Sequence, residues 1–222
     1  CEDPMKKKLA DPDFDCLEVI ENYVRSDIAE ARCYDHLLSG LVIPLKHDAS
    51  LLQVASAVVE YMDRAFELGF IMALGKLYDK NDKPGLHQLI DASLAVPDES
   101  AKLKLKHLQE PGRQAALENM ERSRRKLRLE TARRLRYIHI QKIKKAIGPL
   151  RNAQRAHNIP KLSEYDDVGW RKLRRWLRYA ELLHTRAMIA AGGSSPSPGN
   201  FMPPIKADVK NFLAKLRNVV PV

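Results

Sequence analysis

The stretch DFDCLEVIENYVRSDIAEARCYDHLLSG, from Asp13 to Gly40, decides the fold class. Phe14, Leu17, Ile20, Val24, Ile28, Ala31, Tyr34 and Leu38 recur in it at spacings of three and four, the period that lines one side of an α-helix. Pro12 and Asp13 start this helix and Gly40 is expected to stop it, about seven turns later.

The same period governs the rest of the chain. From about Ala49 to Lys80 the apolar positions Leu52, Ala55, Val59, Met62, Phe66, Phe70, Leu74 and Leu77 predict a second long helix, with so little charge that it is expected to be buried on more than one side. Asn81 to Gly85 breaks it, Leu86 to Ala95 fits a short helix before Pro97, and residues 98–109 fit another before the joint at Pro111-Gly112. A long basic helix is expected from Gln114 to Ile147, interrupted at Gly148-Pro149, and a further one from about Asp167 to Ala191. No strand and no solenoid repeat is legible. The reading is an all-α antiparallel multi-helix bundle over residues 13–192, with an N-terminal extension over 1–12. A Gly/Ser/Pro-rich flexible linker covers 193–205, and a C-terminal amphipathic helix over 206–222 offers Val209, Phe212, Leu213 and Leu216 to some surface.

Charge divides the chain. Its 222 residues carry a formal +10, yet residues 1–101 hold 10 basic and 19 acidic side chains, whereas residues 102–186 hold 24 basic and 8 acidic. An acidic first half can neutralise part of a basic second half inside one bundle, and any basic face left uncovered is a site for phosphates. No apolar run approaches the roughly 18 residues of a membrane span, so no membrane partner is expected. Cys16 and Cys33 fall on one helix about 25 Å apart, too far for a disulfide. With Cys1 they make an odd set without metal-ligand spacing, so a reduced, cytoplasmic interior and no metal are expected. The lysines at 6–8 precede no apolar stretch, which excludes a secretory signal, and Met5 offers a natural start.

Phosphate loops, nucleophile elbows, His-Glu-x-x-His and EF-hand patterns do not occur, nor do the Glu-x-x-His pairs of di-iron bundles, and no cofactor is expected. What remains is Leu150-Arg151-Asn152-Ala153-Gln154-Arg155-Ala156-His157: an Arg, a polar amide directly after it, and a His six positions on. This segment resembles the signature of the HEPN superfamily of helical-bundle proteins and, within it, the AbiU-type abortive-infection branch. Ala73-Leu74-Gly75-Lys76-Leu77-Tyr78-Asp79, followed by a polar turn, looks like that branch as well, and the resemblance spans roughly residues 14–192.

The resemblance implies metal-independent RNA cleavage in phage defence or a toxin–antitoxin system, by a homodimer with both motifs in one cleft and with an antitoxin protein as a further partner. The ribose 2′-hydroxyl attacks the adjacent phosphate, so His157 would move the proton, Arg151 would stabilise the phosphorane charge and Asn152 would hold one of them. On one straight helix positions 151 and 157 point about 120° apart, which a second copy could remedy. Ile159 stands where some HEPN toxins carry the tyrosine modified by their antitoxin, which puts that control in doubt here. Arg134 to His139 satisfies a looser Arg-to-His rule but lacks the polar residue after the Arg.

RNA contacts are assigned to Arg155, to Arg124, Arg125 and Arg128 in the run 122–128, and to Arg174 and Arg175 in Arg171-Lys172-Leu173-Arg174-Arg175-Trp176-Leu177-Arg178. Each run taken alone reads as a solvated helix face. The alternative to the nuclease is therefore a non-catalytic basic module that binds nucleic acid or an acidic protein. A third class is a scaffold whose tail helix recruits a partner.

Overall fold

The computed structural model describes residues 14–78, 84–130, 170–193 and 205–219, and among these the chain is helical wherever the apolar spacing is three and four. In chain order these are α1 (Phe14–Leu37), a π-helical turn (Leu38–Val42), α2 (Ile43–Lys46), α3 (Ala49–Tyr78), α4 (Leu86–Ala95) and α5 (Asp98–Lys104). Then come α6 (Gly112–Glu130), α7 (Trp170–Ala190) and α8 (Ile205–Val219). No strand occurs among the described residues, and the architecture is the all-α multi-helix bundle.

Helices α1, α3, α4, α6 and α7 share one core. Ile20 and Val24 of α1 share it with Phe70, Leu74 and Leu77 of α3, Leu86 and Ile90 of α4, Met120 and Leu127 of α6, and Leu173 and Leu183 of α7. Each such side chain contributes about 1.5–3 kcal/mol on leaving water. Helix α1 runs antiparallel to α3, since Tyr34 lies against Gly69 while Lys76 reaches Asp27 and Glu30 near the middle of α1. It also runs antiparallel to α7, since Glu21 faces His184 and Asp35 faces Arg174. A Cβ on Gly69 would stand 2.3 Å from the Tyr34 ring, so a glycine is what lets these two helices approach.

Gly40 does not stop the first helix, contrary to the expectation from sequence. Pro44, four residues on, has no N–H for the Gly40 carbonyl, and its ring crowds that turn. The backbone widens instead of ending: the Ile43 N–H reaches back five residues to the Leu38 carbonyl, and α2 continues to Lys46. Gly40 serves packing, because Val209 of α8 would lie 3.3 Å from a Cβ there.

The tail returns to the bundle through this turn. Val209 and Leu213 of α8 cover Leu41, Leu45 and Val59, with Met62 and Phe66 at the edge. Helix α3 is less enclosed than its low charge suggests, since Val58 and Tyr61 face outward. At the end of α7, the Gly193 N–H bonds to the Met188 carbonyl at 2.9 Å and the Gly192 N–H to the Ile189 carbonyl at 3.0 Å. Gly192 has φ +75° and a Cβ there would meet the Ala101 backbone at 2.4 Å, so the Gly-Gly pair is a helix stop.

Candidate nucleic-acid interface

Helices α6 and α7 pack on each other, and the segment from 131 to 169 joins the end of the first to the start of the second. Arg151, Asn152, Arg155 and His157 lie in that segment, outside the described residues, as do Arg134, His139 and, elsewhere, Asp79. The site is therefore built from the two helices that bracket the motif.

On α7 the inner face is apolar: Leu173, Trp176, Leu177, Ala180, Leu183 and Ala187 are buried. The opposite face carries Arg171, Lys172, Arg175 and Arg178, all exposed, in a strip about two turns long. The only acid on α7 is Glu181, which turns inward to an ion pair with Arg32 of α1. Glu181 and burial oppose each other at Arg32, and the hydrogen bond wins, holding the guanidinium pKa above its ordinary value. The outer strip is therefore positive without interruption. Lys172 lies 6.0 Å over the Trp176 ring, and Trp176 itself is in the core.

Arg174 is placed differently from Arg175. Its Nε donates to Asp35 Oδ1 at 2.5 Å, a contact between α7 and α1. This is the compensation anticipated between the acidic and basic halves, but it takes one cation of the run, while Arg171, Arg175 and Arg178 on the other side of α7 are exposed. Lys76 of α3 is similarly taken by Glu30 at 2.7 Å and held in its charged form, its pKa raised above the ordinary lysine value by that hydrogen bond.

Helix α6 is more mixed. Arg122, Arg125, Lys126 and Arg128 are exposed, with Glu118 and Glu121 one turn before them. Arg124 departs from the expectation that it contacts RNA: it is 5% exposed, its Nε donates to the Ala190 carbonyl at 2.7 Å and its Nη2 to the Val96 carbonyl at 2.8 Å. Asp98 pairs with Nη1. The guanidinium thus joins the ends of α7 and α4 to α6, and it has no free edge for a phosphate.

Two further buried polar contacts carry no signal of their partners in the sequence. His184 Nε2 lies 3.1 Å from Glu21 Oε1, both side chains buried between α7 and α1, with Arg25 Nε 3.8 Å from the same oxygen. Burial holds the His184 pKa below its ordinary value, against the carboxylate's pull upward, so the neutral ring donates Nε2–H to the carboxylate near neutrality. Tyr78 Oη donates to the Trp176 carbonyl at 2.7 Å, and burial raises its pKa well above the ordinary tyrosine value.

Among the described residues no three His, Cys, Asp or Glu side chains gather to hold a metal ion, and no helix is long and apolar enough to cross a membrane. Comparison with protein-family models, with curated proteins and with solved structures returns no match for this chain.

Proposed function

We propose that this protein binds RNA on the outer strip of α7 and the C-terminal half of α6, and cleaves it with Arg151 and His157 of the segment between them. It would be a metal-independent endoribonuclease of the HEPN type, acting in the cytoplasm as a homodimer in phage defence or under an antitoxin. The observation that carries the binding half is the strip Arg171, Lys172, Arg175 and Arg178 on a helix whose single acid faces the other way. Four cations within two turns concentrate a polyanion on this helix.

The chemistry needs few parts. Once the 2′-hydroxyl is aligned with the adjacent phosphorus, its proton must leave and the phosphorane must be stabilised. A histidine serves the first need and an arginine the second: as the 2′-oxygen bonds to phosphorus the bond from phosphorus to the 5′-oxygen breaks, the imidazolium formed by taking the 2′-hydroxyl proton returns one to the departing 5′-oxygen, and the products end in a 2′,3′-cyclic phosphate and a 5′-hydroxyl. The α7 strip favours equally the non-catalytic binding module, since it supplies affinity without chemistry.

One experiment separates the two. RNA is incubated in EDTA with wild type, His157→Ala and Arg151→Ala. Cleavage by wild type that both substitutions abolish supports the nuclease. Cleavage by all three at one rate refutes the assignment of Arg151 and His157, and RNA binding without cleavage by any of them leaves the binding module.

A further inference from the structure

The buried apolar side chains form two clusters, and α8 belongs to only one of them. The main core draws on α1, α3, α4, α5, α6 and α7 and takes no side chain from α8. Helix α8 is held by the smaller cluster, in which Val209 and Leu213 lie on Leu41, Leu45 and Val59, with Leu52, Met62 and Phe66 around them. Val209 and Leu213 are themselves only half-buried, and Phe212 beside them is 47% exposed. Among the described residues, the charged side chains Asp208, Lys210 and Lys215 of α8 make no ion pair with the bundle. The attachment is apolar and shallow. Its seat, by contrast, is anchored from inside: Leu38 and Val42 of the π-helical turn are in the main core, while Leu41 of the same turn and Leu45 of α2 belong to the seat. Gly40 leaves room on the surface of that turn, since a Cβ there would stand 3.3 Å from Val209.

We propose that α8 is a reversible strap over a helix-binding groove: it leaves its seat while the bundle stays folded, and the open groove takes a helix of the same pattern from a partner protein. That pattern is an aliphatic side chain at i and another at i+4, as Val209 and Leu213 supply in the closed state. Two physical arguments carry the opening. A helix of 15 residues is marginal by itself in water, so α8 off its seat loses its own hydrogen bonds as well. Leaving the seat gives up few contacts, whereas unfolding the bundle breaks the main core, so the strap opens far more often than the molecule unfolds. The groove follows from the anchoring of the turn. With α8 gone, Leu41, Leu45 and Val59 line an apolar channel between the turn and α3, the kind of surface that holds an amphipathic helix by anchors one turn apart. Two half-buried side chains favour the closed state by roughly 10–1,000-fold. The short tether from α7 gives α8 an effective concentration of about 1 mM, so a free helix of its sequence should bind the open groove with a Kd of about 1–100 µM. The proposal is independent of the RNA reading.

Residue-resolved hydrogen exchange on the full chain, with a synthetic peptide of residues 205–219 as the probe, tests both halves. In wild type the amides of α8 are expected to be protected about 10–1,000-fold, and those of Phe70 and Leu74 in the core at least about a hundredfold more. Val209→Gln with Leu213→Gln keeps a good helix former at both positions and removes the attachment. Its α8 amides are expected to lose their protection, and its core amides to lose no more than the factor by which wild-type α8 was protected, because that factor is all the closed strap adds to the fold. The peptide is expected to bind the double variant at about 1–100 µM and wild type more weakly by that same factor, since the strap must open first. The proposal is overturned by wild-type α8 amides as protected as the core or not protected at all. It is overturned as well by a double variant whose core loses far more protection than that factor, by a peptide that does not bind the double variant at about 0.5 mM, or by one that binds both chains equally.

Discussion

Substituting Arg124 gives the most direct test of how α6 is used. The side chain is buried, and two of its donors satisfy carbonyls at the ends of other helices, Ala190 in the last turn of α7 and Val96 just after α4. Truncation to alanine leaves both carbonyls without this partner, at about 1–3 kcal/mol each for a buried group, and loses the packing of the aliphatic stem. The Asp98 end adds little, because that carboxylate is 64% exposed. Arg124→Ala should therefore destabilise the fold by about 3–4 kcal/mol. With a urea dependence of about 2 kcal/mol per molar, the unfolding midpoint falls by about 1.5–2 M. Arg124→Lys, which keeps the charge but cannot span two diverging carbonyls, should recover no more than about half of that loss. Arg125→Ala, one residue on and exposed, should leave the stability within about 0.5 kcal/mol of wild type and weaken RNA binding instead. Equal midpoints for Arg124→Ala and Arg125→Ala in urea would refute the helix-joining role, and so would full recovery by lysine.

Three further outcomes follow from the same geometry. Because burial holds the His184 pKa below 6.5 in the fold, the unfolded chain binds that proton more readily between the lowered value and 6.5; stability should therefore fall as pH drops through 6.5, by at most about 1.4 kcal/mol per unit. Urea melts at about pH 7.5 and about pH 5.5 should show this, and His184→Gln, which can still donate to Glu21, should show a shallower dependence. Gly69→Ala should destabilise by about 1–3 kcal/mol, because its methyl would stand 2.3 Å from the Tyr34 ring, and the double variant with Tyr34→Ala should show a loss smaller than the sum of the two. On the proposed RNA surface, Arg171→Ala, Arg175→Ala and Arg178→Ala together should reduce the salt slope of RNA affinity by about 2, at roughly 0.7 per phosphate contact; an unchanged slope would remove α7 from the interface.

How much of this was legible beforehand differs between elements for physical reasons. Helix α4 begins and ends where the apolar pattern and Pro97 place it, and at its start the Gly85 N–H is capped by Gln88 Oε1 at 3.0 Å. The end of α1 is not legible from Gly40 alone, because the effect of Pro44 falls one turn back and is answered by a wider turn. The outer strip of α7 was readable as a face, but Arg174 and Arg175 were not separable by type, since only the antiparallel approach of α1 decides that Asp35 takes the former.

For the buried polar groups, the sequence did contain a signal. Met120, Arg124 and Leu127 stand at i, i+4 and i+7, and the two flanking positions are core, so the arginine occupies the inner slot of its own helix. Glu21 sits in the same way between Leu17 and Val24, and His184 between Ala180 and Ala187. A charged or titratable residue in the inner slot of an apolar row must be satisfied inside the fold, because leaving it unpaired there costs several kcal/mol. Periodicity therefore identifies which of these residues turn inward. It cannot identify their partners, because Glu21 and His184 are 163 positions apart and are brought together only by the packing of α1 on α7. The same distinction bears on the basic residues proposed to meet RNA: Arg171, Arg175 and Arg178 fall between the inner slots, which leaves them outward and makes them, rather than Arg124 or Arg174, the side chains on which the affinity should depend.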